Sequence, residues 1–179
     1  AAKFYADTFL DGKGADELAK TFTETLKRNY GEVLELKPHV RETLEALHER
    51  GVVMAVASST DAYLLELCLK RMGLREYFQF VQTVDNSGYS KDSDEYFRLA
   101  AEKLGTAPEN IIFFDDALYA IERAKNNGFT VVAVQDDSND DHDEMIRARG
   151  DYYITDFAQI DIDGWFFSEW SYLHRRKGW

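Results

Sequence analysis

The stretch IIFFDDALYAIERAKNNGF, residues 111–129, passes from an apolar run to a helical pattern through two adjacent aspartates. The four apolar residues at its start predict a short buried strand. The segment ALYAIERAKNNG predicts a helix that ends at Gly128, because glycine commonly terminates helices. Asp115 and Asp116 therefore lie where a buried strand ends, although neighbouring carboxylates repel each other. A cation that neutralises both carboxylates would explain the pair.

The same order of helix, glycine and apolar strand recurs from residue 36 onward. The predicted helices are PHVRETLEALHERG (38–51), DAYLLELCLKRMG (61–73), SDEYFRLAAEKLG (93–105), the helix of the opening stretch and HDEMIRARG (142–150). The predicted strands are VVMAVA (52–57), QFVQTV (79–84), IIFF (111–114), VVAV (131–134) and DYYI (151–154). Alternating helices and apolar strands are typical of parallel sheets covered on both faces. We therefore predict an α/β fold with a doubly wound parallel sheet.

The two ends of the chain do not follow this pattern. Within residues 1–34, apolar or aromatic residues recur every four positions from Leu18 to Tyr30 with no strand between them, which predicts a small helical element. The other end, DGWFFSEWSYLHRRKGW (163–179), carries all three tryptophans of the chain. We expect this aromatic tail to pack back on the domain, and the alternative is an interaction surface.

The composition of the 179-residue chain limits its partners. A net charge of −12 and a pI near 4.7 argue against nucleic acid and anionic membranes, because both require a positive surface. A small phosphorylated metabolite stays compatible, since a local site can be positive or carry a metal. No apolar run approaches the roughly 20 residues that span a bilayer. The single Cys68 permits no internal disulfide and fits a helix core position. We expect a soluble, cytoplasmic protein.

Chemically useful side chains follow three of the predicted strands. Ser58 and Ser59 come after VVMAVA, Lys91 follows QFVQTV, and Asp115 and Asp116 come after IIFF. Ligands of open parallel sheets bind beyond the carboxyl ends of the strands. Hydroxyls with nearby backbone N–H groups, an ammonium group and carboxylates that bind Mg²⁺ could together hold a phosphoryl group. These residues lack a nucleophile.

Each group also has a purely structural interpretation. The stretch Ser58 to Asp61 could cap the helix that begins near Ala62. Lys91 could be a solvated loop lysine, and the aspartates could lend their charge to the next helix N-terminus. The acidic stretch DDSNDDHDE (136–144) superficially resembles a calcium loop. It has no glycine at the sixth position, and Ala148 stands where the acidic ligand should be, so we interpret it as a solvated loop.

The ordered segments resemble the haloacid dehalogenase superfamily of hydrolases, in the subfamily with a helical cap inserted near the N-terminus. The matching segments are LKPHVRETLEALHERGVVMAVASST, YSKDSDEYFRLAAEKLG and IIFFDDALYAIERAKNNGFTVVAV, which lie within residues 35–157. Beta-phosphoglucomutase-like and small-metabolite phosphatases are the most similar branches. The resemblance implies that residues 1–34 are the remnant of a helical cap domain. It implies that residues 35–179 form the α/β core with the aromatic C-terminal tail.

The resemblance also implies a role for each strand-end residue. Ser58 matches the second motif of the family, which binds phosphate, and Ser59 follows it in the same loop. Lys91 matches the third motif, the lysine that balances charge on the nucleophile and the phosphate. Asp115 and Asp116 match the fourth motif, the acidic pair that holds Mg²⁺. The resemblance thus implies Mg²⁺ as cofactor and a small phosphorylated substrate.

The family's first motif, D-x-D-G-[TV], is absent from these residues. It supplies the nucleophilic aspartate and an acid/base aspartate. Asp11 in LDGKGADEL (10–18) precedes a glycine, but no aspartate lies two residues before it, so we reject it as the nucleophile. In this fold the first strand lies between the strands that end at Ser58 and Asp115. We expect it and the first motif to precede Ala1, in about 45 further residues on the domain-size scale.

The function that the resemblance implies is phosphoryl transfer through an aspartyl-phosphate, and we favour a phosphatase. The alternatives are a beta-phosphoglucomutase-like mutase and a catalytically inactive relative that binds Mg²⁺ or phosphate. A phosphorelay receiver also combines an acidic pair, a hydroxyl and a lysine, but with the acidic pair first. Here the order is Ser58, Lys91, Asp115–Asp116, which is wrong for a receiver. The sequence specifies neither the substrate nor the oligomeric state.

Overall fold

The computed structural model describes residues 14–165, and within them five short strands form two parallel sheets. Asp11 and residues 166–179 of the aromatic tail lie outside this range. The first sheet pairs β1 (Met54–Ser58) with β2 (Phe78–Thr83). The second has the order β3 (Ile112–Asp115), β4 (Thr130–Val134) and β5 (Tyr152–Ile154). All three pairings are parallel, which confirms the predicted α/β fold with parallel strands.

Eight α-helices and several single turns accompany the strands in the described range. The helices are α1 (Ala15–Arg28), α2 (Val40–Glu49), α3 (Ala62–Arg71), α4 (Val84–Ser87), α5 (Asp94–Leu104), α6 (Leu118–Asn126), α7 (Asp143–Arg149) and α8 (Ile162–Trp165). A π-helical turn covers Asn29–Val33, and 3-10 turns cover Arg75–Tyr77, Pro108–Asn110, Asp137–His142 and Phe157–Gln159. None of the helices between residues 14 and 165 has the length and apolar character to cross a membrane.

The chain divides into two units, whose described parts are residues 14–35 with 60–76, and residues 36–59 with 77–165. The first unit contains α1, the π-helical turn and α3. Gly31 lets the turn lie close to α3, because a Cβ at that position would be 3.3 Å from Leu67 Cδ2. Tyr30 places its hydroxyl 3.2 Å from Thr60 Oγ1. The described part of this unit is helical without a strand, as the four-residue spacing predicts.

The second unit has its core on both faces of β4. Successive side chains of a strand point to opposite faces. Val131 packs into a large cluster with residues of α5, α6 and β3, whereas Val132 packs into a second cluster on the other face. Three rings of the large cluster, Phe97, Phe113 and Phe129, contact one another edge to face, with centroids 5.3, 5.7 and 6.4 Å apart. A strand buried on both faces explains the continuous apolar run in the sequence.

Helix α2 begins later than the sequence pattern predicts. The pattern places Pro38 in the first turn, whereas the helix begins at Val40. His39 precedes it with φ of 60°, a left-handed conformation that a right-handed helix does not contain. The His39 ring contacts the carboxylate of Asp156, with 2.7 Å between Nδ1 and Oδ1. This distant contact accompanies the unusual backbone and could not be read from local periodicity.

The first two strands also have shifted ends. β1 begins at Met54 rather than Val52, because the Val52 N–H still bonds to the Leu47 carbonyl of the preceding helix at 3.1 Å. β2 ends at Thr83 rather than one residue later. Thr83 and Asn86 form a capping box that starts the short helix α4. In both places, a residue at the end of a predicted strand belongs instead to the end of a neighbouring helix, because its hydrogen bonds are made there.

β1 and β3 belong to different sheets and do not pair with each other in the described chain. The break lies between the strand that ends at Ser58 and the strand that ends at Asp115. This is the place where the family resemblance puts a further strand. Within residues 14–165 the parallel strands therefore form two separate parts, with the gap at the position expected for the further strand.

Three polar contacts fasten the beginning of the second unit to its end. They are Lys37–Asp136 at 2.6 Å, His39–Asp156 at 2.7 Å and Arg50–Asp163 at 2.5 Å. The partners lie 99, 117 and 113 positions apart in the chain. Partly exposed pairs of this kind contribute little net stability. They show, however, that α2 lies against the segments that follow β4 and β5.

Candidate active site

The buried ion pair between Lys91 and Asp115 is the central contact at the strand ends. Lys91 Nζ donates to Asp115 Oδ2, and the two side chains are only 10% and 7% exposed. Asp115 is the last residue of β3, and Lys91 lies in the turn before α5. The alternative of a solvated loop lysine is therefore wrong. The pair places a desolvated positive charge at the carboxyl end of β3.

Polar contacts in the turn before α5 direct Lys91 inward. The Ser93 N–H and hydroxyl both donate to the Ser90 carbonyl, at 2.9 and 2.8 Å. Ser93 Oγ then accepts the Tyr96 N–H at 3.4 Å and caps α5. Lys91 Nζ lies 5.4 Å from the centroid of the Phe113 ring, within cation–π range. The hydrogen bonds between Ser90 and Ser93 thus fix the turn from which the Lys91 side chain extends.

The two adjacent aspartates have different partners. Asp115 accepts the Ala117 N–H on Oδ1 at 3.0 Å and Lys91 on Oδ2. Burial raises the pKa of Asp115, and the charge of Lys91 acts against that rise. Asp116 accepts Asn139 Nδ2 on Oδ2 at 2.7 Å, while its Oδ1 accepts no hydrogen bond from any residue between 14 and 165. Neither carboxylate makes a side-chain cap at the N-terminus of α6.

Ser58 and Ser59 lie at the carboxyl end of β1. Ser58 is the last residue of the strand, and its carbonyl lies 3.1 Å from the Tyr96 hydroxyl. Ser59 is exposed, with its Oγ 3.3 Å from the Tyr119 hydroxyl. Neither serine caps the following helix, because Asp61 accepts both capping N–H groups of α3. Within the stretch Ser58 to Asp61, the capping alternative therefore holds for Asp61 and not for the two serines.

Tyr96 connects the strand of Ser58 to its neighbour. Its ring is fully buried, and its hydroxyl lies within hydrogen-bond distance of the carbonyl oxygens of Ser58 and Gln82, at 3.1 and 2.9 Å. The Gln82 amide donates in return to the Tyr96 carbonyl at 2.7 Å. Burial raises the pKa of Tyr96 to about 12. Tyr96 therefore fixes the ends of β1 and β2 relative to α5.

Replacing Tyr96 with phenylalanine is expected to lower the free energy of unfolding by about 1–2 kcal/mol, because buried carbonyl oxygens lose their donor. The raised pKa means that the native state holds the Tyr96 proton more tightly than the unfolded chain. The stability that depends on this proton is complete below pH 10 and declines as the pH rises toward 12. The difference between wild type and variant in denaturant titrations should therefore narrow over that interval.

The control for this experiment is Tyr89→Phe, since Tyr89 is 43% exposed and its hydroxyl has no hydrogen bond to a described residue. It should leave the unfolding free energy unchanged at every pH. Equal stability of Tyr96→Phe and wild type at neutral pH would contradict the assigned hydrogen bonds.

Sequence reasoning missed three residues at these strand ends. Tyr96 gives no signal of its own within the predicted helix 93–105, because its hydroxyl contacts lie on β1 and β2. Tyr119 lies in the first turn of α6 and meets Ser59. Asn139 belongs to the stretch 136–144, whose interpretation as merely solvated is incomplete because Asn139 contacts Asp116. Its position just beyond β4 is the signal that could have found it, since ligand sites lie beyond the carboxyl ends of strands.

The carboxylates at the end of β3 fit a hard divalent cation. No three His, Cys, Asp or Glu side chains within residues 14–165 come together as a complete metal site. Mg²⁺ does not need one, because it keeps several waters and takes one or two carboxylates together with substrate phosphate. Asp116 offers Oδ1, whereas the neighbouring Asp115 is neutralised by Lys91. Among the described residues, Asp116 is therefore the carboxylate that could bind Mg²⁺ through Oδ1.

Comparison with known proteins gives matches over most of the chain. The family model described as haloacid dehalogenase-like hydrolase matches residues 5–134. Pyrophosphatase PpaX of Oceanobacillus iheyensis is 28% identical over 156 residues, which cover 86% of this chain and 72% of that protein. Phosphorylated carbohydrates phosphatase of Thermotoga maritima is 31% identical over 113 residues, covering 63% and 52%. The matched region thus amounts to about half of the length of the Thermotoga phosphatase.

A solved structure shares the fold. A Thermotoga maritima protein assigned as a beta-phosphoglucomutase superposes with a TM-score of 0.69 and 28% sequence identity. The superposition covers 78% of this chain and 65% of that one. The similarity therefore extends over both the sequence and the arrangement of the strands.

Proposed function

The chain belongs to the haloacid dehalogenase-like hydrolases, and from that membership we propose that the protein is a magnesium-dependent phosphatase of a small phosphorylated metabolite such as a sugar phosphate. The observation that carries the proposal is the buried Lys91–Asp115 ion pair beside Asp116 at the end of β3. Phosphoryl transfer depends mainly on positioning and on charge neutralisation. The name of the Thermotoga relative, a phosphatase of phosphorylated carbohydrates, supports the substrate class.

Each strand-end residue has one role in this proposal. Ser58 and Ser59, with nearby backbone N–H groups, hold the phosphate oxygens. Lys91 neutralises negative charge on the phosphate and on the attacking group, and its burial strengthens that effect because the local dielectric constant is low. Asp116 holds Mg²⁺ with Asp115 beside it. Bound Mg²⁺ would polarise the phosphoryl group and stabilise the charge that develops during transfer.

The proposed reaction passes through an aspartyl-phosphate formed on the aspartate of a D-x-D-G-[TV] motif. A carboxylate oxygen forms a bond to phosphorus while the bond from phosphorus to the substrate oxygen breaks, and that oxygen takes up a proton. Water then attacks the aspartyl-phosphate, releasing inorganic phosphate and restoring the carboxylate. Lys91 serves both steps, because negative charge develops on the phosphoryl oxygens each time.

A mutase is the second candidate, and the similarity to the Thermotoga protein assigned as a beta-phosphoglucomutase favours it. In a mutase the phosphoryl group passes to a second hydroxyl of a sugar phosphate instead of to water. The residues described above would serve this transfer equally well. Release of inorganic phosphate distinguishes the two, since only the phosphatase produces it.

The test is turnover of p-nitrophenyl phosphate and a panel of sugar phosphates by the full-length protein. We expect release of inorganic phosphate that requires Mg²⁺ and stops with a chelator. Conversion between sugar phosphates without release would favour the mutase. Failure with every compound would contradict an enzymatic function and favour an inactive relative that binds Mg²⁺ or phosphate. Cys68→Ala is the control, because Cys68 lies buried in α3 and should not affect turnover.

A further inference from the structure

Asn139 reaches from the loop after β4 to the aspartate pair. It lies in the 3-10 turn Asp137–His142, and its Nδ2 is 2.7 Å from Asp116 Oδ2. The amide must present its nitrogen to the carboxylate, because the amide oxygen would be repelled. Asn139 is half-buried although its loop is mostly exposed. A neutral donor therefore contacts one oxygen of Asp116 and leaves the other without a hydrogen bond from the described residues.

The neutral character of this donor matters. Lys91 brings a positive charge to Asp115, which reduces the attraction of that carboxylate for a cation. Asn139 orients Asp116 without cancelling its charge. The two neighbouring carboxylates are thus held by different kinds of donor, and Oδ1 of Asp116 accepts no hydrogen bond from the described residues. The hydrogen bond from Asn139 opposes rotation of the Asp116 carboxylate, which suits a group that binds a metal through its other oxygen.

A short network holds the loop that carries Asn139. The Asn139 N–H donates to the Asp136 carbonyl at 3.0 Å, and the Asp136 carboxylate accepts the Ser138 N–H at 2.9 Å. Lys37 donates to the same carboxylate at 2.6 Å and to the Gln135 carbonyl at 3.0 Å. The hydrogen bond from Lys37 is the largest cause that lowers the pKa of Asp136 to about 2, and those from the Ser138 hydroxyl and N–H add to it. The residues that precede Asn139 in the loop are therefore held by hydrogen bonds to one another and to Lys37.

We propose that Asn139 is a positioning residue of the metal site, which fixes Asp116 so that Oδ1 faces the cation. The inference rests on the proposed function, because that function requires Asp116 to bind the metal and Asn139 is the residue that orients Asp116. Outer-shell partners of metal ligands typically change metal affinity or activity 10–100-fold when they are removed. Asn139 acts through Asp116 and does not itself touch the substrate.

The experiment measures Mn²⁺ binding by the full-length protein, from the EPR signal of the free ion. Asn139→Ala is expected to raise the Kd for Mn²⁺ about 10-fold. It should also raise the Mg²⁺ concentration needed for half-maximal p-nitrophenyl phosphate turnover, with kcat largely restored at saturating Mg²⁺. Asn139→Gln keeps an amide donor and should recover part of the affinity. Asn126→Ala is the matched control, because Asn126 is an exposed amide with no side-chain hydrogen bond to a described residue.

The outcomes separate the two proposals. Wild-type Mn²⁺ affinity in Asn139→Ala, with an unchanged unfolding midpoint, would overturn the positioning role and leave the proposed function intact. A wild-type protein that neither binds Mn²⁺ nor turns over any phosphate ester would overturn both. If the alanine variant unfolds at the assay temperature, Asn139→Ser carries the same expectation, since its hydroxyl is too short to reach Asp116.

Discussion

Replacing Lys91 with methionine is expected to lower kcat about 10³-fold, the upper range for loss of one preorganised electrostatic group. The same change should lower the free energy of unfolding by about 3 kcal/mol. The rate falls because the phosphate loses a neutralising positive charge. The stability falls because Asp115 is buried, and without Lys91 its charge has no compensating cation. Steady-state kinetics with p-nitrophenyl phosphate and a denaturant titration give the two quantities.

A double-mutant cycle separates the two effects. Lys91→Met combined with Asp115→Asn removes both buried charges, so most of the lost stability should return while activity stays low. Cys68→Ala, a substitution of a buried residue outside the site, should leave kcat unchanged. A Lys91→Met protein that turns over substrate at the wild-type rate would rule out a catalytic role for the ammonium group.

Replacing Asp116 with asparagine should lower kcat at least about 10³-fold, because polarisation of a phosphoryl oxygen by a metal is worth several kcal/mol. The substitution keeps the size of the side chain and an oxygen that Asn139 can bind, so the unfolding free energy should change little. It removes the negative charge that attracts the cation. The rate measured against Mg²⁺ concentration should lose its saturating rise, and binding of Mn²⁺ should weaken in parallel.

Asp140→Asn is the matched control for this substitution. Asp140 lies exposed in the acidic stretch 136–144, and its side chain has no partner among residues 14–165. The Asp140→Asn substitution also removes one negative charge, from the residue next to Asn139. It should leave the dependence of the rate on Mg²⁺ concentration unchanged. If Asp140→Asn and Asp116→Asn had equal effects, the general negative potential of the loop would explain binding better than a specific ligand.

Much of the fold could be predicted because local signals agree with the tertiary structure. Gly105 and Gly128 end their helices in the left-handed conformation that glycine favours. Phe97 and Ala101 lie four positions apart in the predicted helix 93–105, and both are buried. The apolar run at residues 131–134 predicts β4 correctly, because this strand is covered on both faces and needs apolar residues throughout. Ligands bind beyond the carboxyl ends of parallel strands, and this general property is enough to select Lys91 and Asp115 as candidate site residues. Their contact with each other cannot be predicted in the same way.

What could not be predicted depends on contacts between distant residues. Asn139 and Asp116 are 23 positions apart, and nothing in the local pattern of the acidic stretch indicates that one amide turns inward. Helical periodicity predicts only whether the position of Tyr96 is buried or exposed. Its role depends on two carbonyl oxygens, one on β1 and one on β2, that its hydroxyl reaches. The left-handed His39 likewise accompanies a contact with Asp156, 117 residues away.

The contacts of α2 with the far end of its unit have a consequence for synthesis on the ribosome. Lys37 and Arg50 emerge 99 and 113 residues before their partners Asp136 and Asp163. At about 5–20 residues per second, α2 waits roughly 5–20 s for the segments that cover it. The contacts that join the beginning of this unit to its end therefore cannot form until nearly all of its described residues have been made.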